Sequence, residues 1–420
     1  MPFSSLGLSP SLQRAVSAKA YLTPTPVQLE AIPAALQGRD VLGSAQTGSG
    51  KTAAFALPLL QQLENAPLES LRRVRALILV PTRELCTQVG EEFRSLAAHL
   101  PRALKVSIVF GGVSINPQMM RLRGGSDIVV ATPGRLLDLV QHNALSLSDV
   151  KALVLDEADR LLDLGFAEEL ARILTLLPLQ RQNLFFSATF PPAVQALAQT
   201  LLRDPVRVEV LPAPQSQPDI VQRAIAVDAG RRTQLLRHLI GQNHWSRVLV
   251  FVATKHAAEM VADKLRKVRI YAEPFHGELS QGKRTQVLAD FKASRLKVVV
   301  ATDVAARGLD IAQLPVVVNF DLPRSAVDYT HRIGRTGRAG ESGVAVSFVS
   351  ADTEAHFRLI EKRQSLSLAL EQVEGFEPLQ TAPVALPALD GSPIDTSTGG
   401  IKGKRPSKKD KLRAAAARSQ

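Results

Sequence analysis

One cysteine, one tryptophan and three tyrosines among 420 residues already exclude several kinds of protein. Cys86 stands alone, so no intrachain disulfide can form and a reducing, cytoplasmic setting is expected. The scarcity of Trp and Tyr argues against modules that stack splayed bases, so any nucleic acid is expected to be held by its backbone. Long apolar runs are missing too. Ala76 to Val80 and Lys297 to Ala301 are strand-sized and far short of a bilayer span, so no membrane segment is expected. Met1 to Pro10 has neither the basic stretch nor the apolar run of a secretory signal. Acidic residues are outnumbered, 39 against 51 Lys and Arg, and the net charge of +12 points to a polyanionic partner, nucleic acid or an anionic surface. Its distribution is uneven. From Thr396 onward eight Lys and Arg face Asp410 alone, which is +7 of the +12 and leaves the body mildly basic.

What is present is an ordinary globular composition, 45% hydrophobic and 21% charged, with a mean hydropathy of +0.04. Short apolar strands alternate with helical patterns, for example Ala76 to Val80, Thr82 to Leu96 and Val106 to Phe110, which predicts an α/β fold with parallel sheets. A second series follows with strands at Val248 to Val252, Lys297 to Ala301 and Val316 to Asn319. Pro205, Pro212, Pro214 and Pro218 mark the break between the two. The expected layout is one domain over 1–207, a linker over 208–218, a second domain over 219–374 and a disordered basic tail over 375–420.

Between a short apolar strand and a helical stretch lies Ala45-Gln46-Thr47-Gly48-Ser49-Gly50-Lys51-Thr52. Glycines let backbone N–H groups close around phosphates, Lys51 supplies a point charge, and the Thr52 hydroxyl suits a magnesium ion. The following helix start adds its dipole. After the apolar strand Ala152 to Leu155 come Asp156-Glu157-Ala158-Asp159. Asp156 suits holding the metal, and Glu157 suits orienting and deprotonating water. Taken singly, the loop also reads as a glycine-rich turn with an incidental lysine, and the acidic pair as a helix cap with a surface charge.

Together, Ala45 to Thr52 and Asp156 to Asp159 resemble the DEAD-box RNA helicase family. The layout, with its basic extension, looks most like the bacterial RhlE-type branch. The resemblance covers residues 1 to about 370 and implies two tandem RecA-like domains. It implies an adenine-reading segment over 1–29, in which Tyr21 and Gln28 serve the base and Phe3 is the upstream aromatic. Pro81, Thr82 and Arg83, Gly111 and Gly112, and Thr132, Pro133, Gly134 and Arg135 resemble the first lobe's RNA loops. Hydroxyls, amides and arginines are the groups that sugar and phosphate contacts need. Ser187 and Thr189 resemble the segment that couples hydrolysis to strand separation, and Asp159 reads as a structural or interdomain contact.

In the second half, Thr254, Gln281, Arg284, Thr302 and Arg307 resemble RNA-side positions, Asp310 a ribose contact, and Asp303, His331 and Arg332 interdomain organisers. Without the family, Asp303 and Arg307, four apart, read as a helix-surface pair. Arg335 and Arg338 match the family's arginine fingers. The resemblance thus implies ATP and Mg2+ as cofactors, RNA as partner and a monomer. Ribosomal precursors and RNA-decay assemblies are the candidate settings. The expected activity is RNA-stimulated ATP hydrolysis coupled to lobe closure and the unwinding of short duplexes. Two alternatives stay open, an ATP-gated RNA clamp and a DNA helicase of related fold. Cys86 reads as a small buried residue and not as a nucleophile.

Overall fold

The runs Ala76–Leu79, Ile128–Ala131 and Ala152–Leu155 carry no polar residue at either alternating position, which suits a strand covered on both faces. In the computed structural model all three are buried along their length and lie side by side. The structure describes residues 2–45, 49–67, 71–209, 220–306, 314–337 and 342–379. Gln46, Thr47, Gly48, Arg307, Asp310, Arg338 and the stretch 380–420 lie outside them.

The first sheet comprises β1 (Val41–Ser44), β2 (Ala76–Leu79), β3 (Val106–Val109), β4 (Ile128–Ala131), β5 (Ala152–Leu155), β6 (Gln182–Ser187) and β7 (Val206–Glu209). Its order is β3-β4-β2-β5-β6-β1-β7. The second sheet comprises β8 (Ile220–Ala226), β9 (Val248–Val252), β10 (Ala272–Phe275), β11 (Val298–Thr302), β12 (Val316–Asn319), β13 (Gly343–Val349) and β14 (Leu370–Glu371). Its order is β10-β11-β9-β12-β13-β8-β14, which repeats the first order strand for strand. All pairings are parallel, and the chain folds as the expected two tandem RecA-like domains. Successive residues feed opposite cores. Ile78, Val130 and Val154 pack with the helix Lys51–Glu64, whereas Leu77, Val129 and Leu153 pack with the helix Pro133–Gln141.

Both outer boundaries differ from the sequence expectation. Residues 206–209 pair with β1, so the first domain runs through Glu209, two residues past 207. This edge strand leaves Arg207 and Glu209 exposed and therefore lacks the apolar run that marks interior strands. At the other end, 375–379 packs on the second domain and is not yet tail. Phe376 meets the His238 ring at 5.3 Å and the Arg231 guanidinium at 5.3 Å, and Leu379 N donates to Asp228 Oδ2 at 3.0 Å.

Candidate nucleotide and nucleic-acid site

Strand order decides which loops become neighbours. In the first sheet β5, β6 and β1 are adjacent. The acidic run leaves β5, Ser187 ends β6, and the glycine-rich loop leaves β1. Strands lie about 4.8 Å apart, so loop and acids emerge about 10 Å apart with Ser187 between them. On the other half, β3, β4 and β2 deliver Gly111-Gly112, Thr132 to Arg135 and Pro81 to Arg83 to the same carboxyl edge.

A cavity of about 540 Å³ opens on the β5-β6-β1 half, and Tyr21, Gln28, Gly50, Lys51, Thr52 and Asp156 are among its lining. Gly50 precedes the helix Lys51–Glu64 with φ 89°, and a Cβ there would lie 2.5 Å from Gln28 Nε2. Only glycine lets these two segments meet. Gln28 is buried; its Oε1 accepts from Thr25 N at 2.9 Å and its Nε2 donates to Gly50 O at 3.0 Å. An amide has two donors and two lone pairs, so one of each remains for a base edge. The Tyr21 ring stacks on Phe3, with centroids 6.4 Å apart. Its hydroxyl donates to Glu92 Oε1 at 2.7 Å, and Glu92 Oε2 pairs with Lys19 at 2.8 Å. Burial, reinforced by Glu92, pushes the phenol pKa up, so the hydroxyl stays a donor.

Beside this cavity, Lys51 Nζ donates to Ala45 O at 2.9 Å. Desolvation pushes the buried Asp156 carboxyl up to about 6, against the pull of Lys51 and with Glu157 adding to the rise. Glu157 takes a left-handed backbone, φ 53°, at a cost of roughly 1–3 kcal/mol. Its Oε2 accepts from Arg160 Nη1 at 2.8 Å, both side chains being buried. Asp159 is committed to structure. Its Oδ2 accepts from Thr189 N at 3.0 Å and Thr189 Oγ1 at 2.8 Å, and its Oδ1 from Arg160 N at 3.0 Å. Ser187 Oγ accepts from Asp159 N at 3.2 Å and donates to Thr189 O at 2.8 Å, while Ser187 O accepts from Ala45 N at 3.2 Å. One continuous network therefore joins the loop strand, Ser187, Thr189 and the acidic run. Ser49 and Thr52 stand half-buried beside it.

On the β3-β4-β2 half the three loops are also tied together. Arg83 Nη1 donates to Gly112 O at 3.4 Å, and a Cβ on Gly112 (φ 74°) would strike the Arg83 guanidinium at 1.8 Å. Gly111 N donates to Thr132 Oγ1 at 3.3 Å, and Arg135 Nη2 to Val113 O at 2.7 Å. Pro81 and Thr82 are buried, Thr82 capping the helix Arg83–Ala97, while Pro133 and Gly134 open the helix Pro133–Gln141. Arg135 Nη1 is buried without a hydrogen-bond partner among the described residues.

The second lobe carries two ion pairs that no sequence motif announced. Arg284, expected towards RNA, is buried and paired with Glu84 of the first lobe at 2.9 Å, and Gln281 Nε2 lies 3.5 Å from Glu84 Oε1. Burial drives this pairing: Arg284 also stacks over Phe275 at 4.8 Å, and desolvation lowers its pKa. Arg332 Nε and Nη2 bind the two oxygens of Asp303 at 2.6 and 2.7 Å, while Arg307 lies outside the described residues. Arg332 also donates through Nη1 to Asn319 Oδ1 and Asp321 O, which engages four of its five N–H groups and makes it an organiser of its lobe. His331 and Arg335 line a small cavity with Arg160 of the first lobe. Burial, then the Arg160 charge, lower the His331 pKa, so the ring stays neutral there. Thr254 is exposed and caps the helix Lys255–Lys267, and Thr302 ends β11. Sequence reasoning missed Glu92 and Arg160, and took Glu84 only as part of the RNA loop from Pro81 to Leu85. The spacing of Leu85, Gln88 and Glu92 on one helix face, and Glu157 three before Arg160, were the available signals.

Comparison with known proteins follows the same division. Residues 25–197 match the family model for the DEAD/DEAH box helicase, and 231–340 that for the helicase conserved C-terminal domain. The DEAD-box ATP-dependent RNA helicase CshA of Bacillus cereus is 40% identical over 360 residues, 86% of this chain and 67% of that protein. The ATP-dependent rRNA helicase rrp3 of Emericella nidulans is 42% identical over 374 residues, 89% of this chain and 79% of that one. Among solved structures, S. cerevisiae Dbp5 bound to RNA and ADP BeF3 superposes with a TM-score of 0.77 at 30% identity, covering 89% of this chain and 95% of that one. Mss116p bound to ssRNA and AMP-PNP gives 0.77 at 28% identity, covering 89% and 79%.

Proposed function

This chain belongs to the DEAD/DEAH-box helicase family, and from that premise we propose how its residues divide the work of an ATP-dependent RNA helicase. Gln28 reads the adenine edge, and the Tyr21 ring backs the base. Lys51 neutralises the β and γ phosphates, and Glu157 orients and deprotonates the attacking water. Arg335 and Arg338 of the second lobe stabilise charge on the transferred phosphoryl group, and Asp310 holds the ribose. The loops at Arg83, Gly112 and Arg135, with Thr254, Thr302 and Arg307, grip the RNA backbone. Because these groups belong to two lobes, hydrolysis requires closure, and ATP and RNA that both favour the closed form must each favour the other. Closure around a bent strand then opens a short duplex or strips a bound protein.

Mg2+ fits the nucleotide site. Asp156 is a buried carboxylate raised to about 6 by desolvation, and Thr52 offers a hydroxyl on the wall of the same cavity. No group of three or more His, Cys, Asp or Glu among the described residues would hold a metal alone. That suits an ion which takes most of its oxygen ligands from phosphates and water. Bound there, it would offset phosphate charge. We also assign the chain to the RhlE-type branch, supported by the Lys and Arg stretch 402–418, and to a cytoplasmic setting, supported by the lone buried Cys86. Ribosomal precursors are its proposed substrates, on likeness to a relative named as an rRNA helicase.

The Asp159, Ser187 and Thr189 network, set between the loop strand and the acidic strand, is the observation that carries this reading. The test is Glu157→Gln. RNA-stimulated ATP turnover should fall at least about 100-fold, with nucleotide binding retained. Turnover at the wild-type rate would overturn the assignment.

A further inference from the structure

The opposite edge of the first sheet carries a charge pattern that the helicase cycle does not use. Lys105, Arg75, Lys151 and Arg181 are the residues immediately before β3, β2, β5 and β6, so cations enter four of the five adjacent strands β3 to β6. Backbone bonds tie these entries together: Arg75 N donates to Asp127 O at 2.9 Å, Lys151 N to Arg75 O at 2.8 Å, and Gln182 N to Lys151 O at 2.8 Å. The entering segments 71–75, 101–105, 123–127, 146–151 and 177–181 hold eight Lys and Arg against Asp127 and Asp149. This excess of six exceeds the net charge of the whole chain before Thr396, which is +5.

Both carboxylates of these segments are engaged locally. Asp127 pairs with Arg72 at 3.3 Å and Asp149 with Arg73 at 3.1 Å, while Arg102 and Lys105 donate to backbone carbonyls, which carry no net charge. Arg73, Arg123 and Lys151 are exposed. Five strands span about 19 Å, and over that length one strand of a helical nucleic acid presents about six phosphates. The rim lies at the amino ends of the strands, at least about 13 Å of strand away from the cleft.

We propose that this rim is a second RNA-backbone site, which holds the flank of an RNA whose remodelled segment lies in the cleft between the lobes. It reads charge and spacing, not sequence, and it serves only RNAs long enough to pass from one edge of the sheet to the other.

The full chain carrying Arg73→Gln, Arg123→Gln and Lys151→Gln together tests this. Binding to a 10-nucleotide single strand and to a 40-nucleotide strand is measured by fluorescence anisotropy between 50 and 200 mM salt. On the long strand the slope of log K against log salt should flatten by about two units and affinity at 50 mM should drop about tenfold. The short strand should change less than about twofold. The charge-preserving variant Arg73→Lys, Arg123→Lys and Lys151→Arg should keep the wild-type slope, which separates charge from folding. An unchanged slope on the long strand, or equal losses on both strands, overturns the proposal, whether the rim then faces an acidic protein or only solvent.

Discussion

At Tyr21 the ring and the hydroxyl have separate tasks. The ring stacks on Phe3 at the edge of the nucleotide cavity, and the hydroxyl is anchored by Glu92, which Lys19 holds in turn. Glu92 therefore sets the position of a ring on the wall of the cavity proposed for the nucleotide. Glu92→Ala should raise KM for ATP about fivefold, the equivalent of about 1 kcal/mol for one lost hydrogen bond, with kcat within twofold of wild type. Glu92→Gln keeps an acceptor for the phenol and should recover most of the loss. Steady-state kinetics decide it, and a fall in kcat at constant KM would show that the anchor acts elsewhere. Cys86 sits at the other extreme of legibility. Its thiol is fully buried, donates towards Val130 O and Val109 O, and burial pushes its pKa up, as its small size and apolar neighbours suggested.

Between elements, the pair Glu84 and Arg284 joins the helix Arg83–Ala97 of the first lobe to the helix Gln281–Lys292 of the second. Each residue lies near the start of its helix, beside loops assigned to RNA. Removing one partner of a buried pair leaves an uncompensated charge and typically costs about 3–5 kcal/mol, whereas removing both costs less. Glu84→Ala should lower RNA-stimulated ATP turnover about tenfold or more while sparing nucleotide binding. In a double-mutant cycle with Arg284→Ala, the two losses should fall short of additive by about 1 kcal/mol or more. Strictly additive losses would mean that the ion pair does not hold the lobes in the active arrangement. The sequence pattern located the first of these helices, from Thr82 onward, but not the second, which Ser280 caps. It gave no sign that residues 200 apart in the chain would be partners.

Across the whole molecule, the same strand order appears twice. One sheet's edge supplies Lys51, Asp156 and Glu157; the other lobe brings Arg332 and Arg335 to a cavity shared with Arg160. Charge also belongs to this scale. Deleting 396–420 removes +7 of the net +12. RNA affinity should weaken and its salt dependence flatten, with maximal ATP turnover nearly intact. An identical binding curve for the truncated chain would assign the stretch no part in RNA binding.

The residues proposed for the nucleotide lie in two contiguous runs, from Ala45 to Thr52 and from Asp156 to Asp159, because phosphate binding and water activation need specific atoms on one loop at one strand end. The alternation of strands and helices likewise followed from runs such as Ala152–Leu155, since a strand covered on both faces must be apolar throughout. Tertiary structure alone decided that Asp303 binds Arg332, that Glu84 meets Arg284 and that 206–209 joins the first sheet. A charged side chain has several oppositely charged candidates along the chain. Which one it takes depends on the neighbours that folding brings within a few ångströms and on how much water is removed around them, and neither quantity is local in sequence.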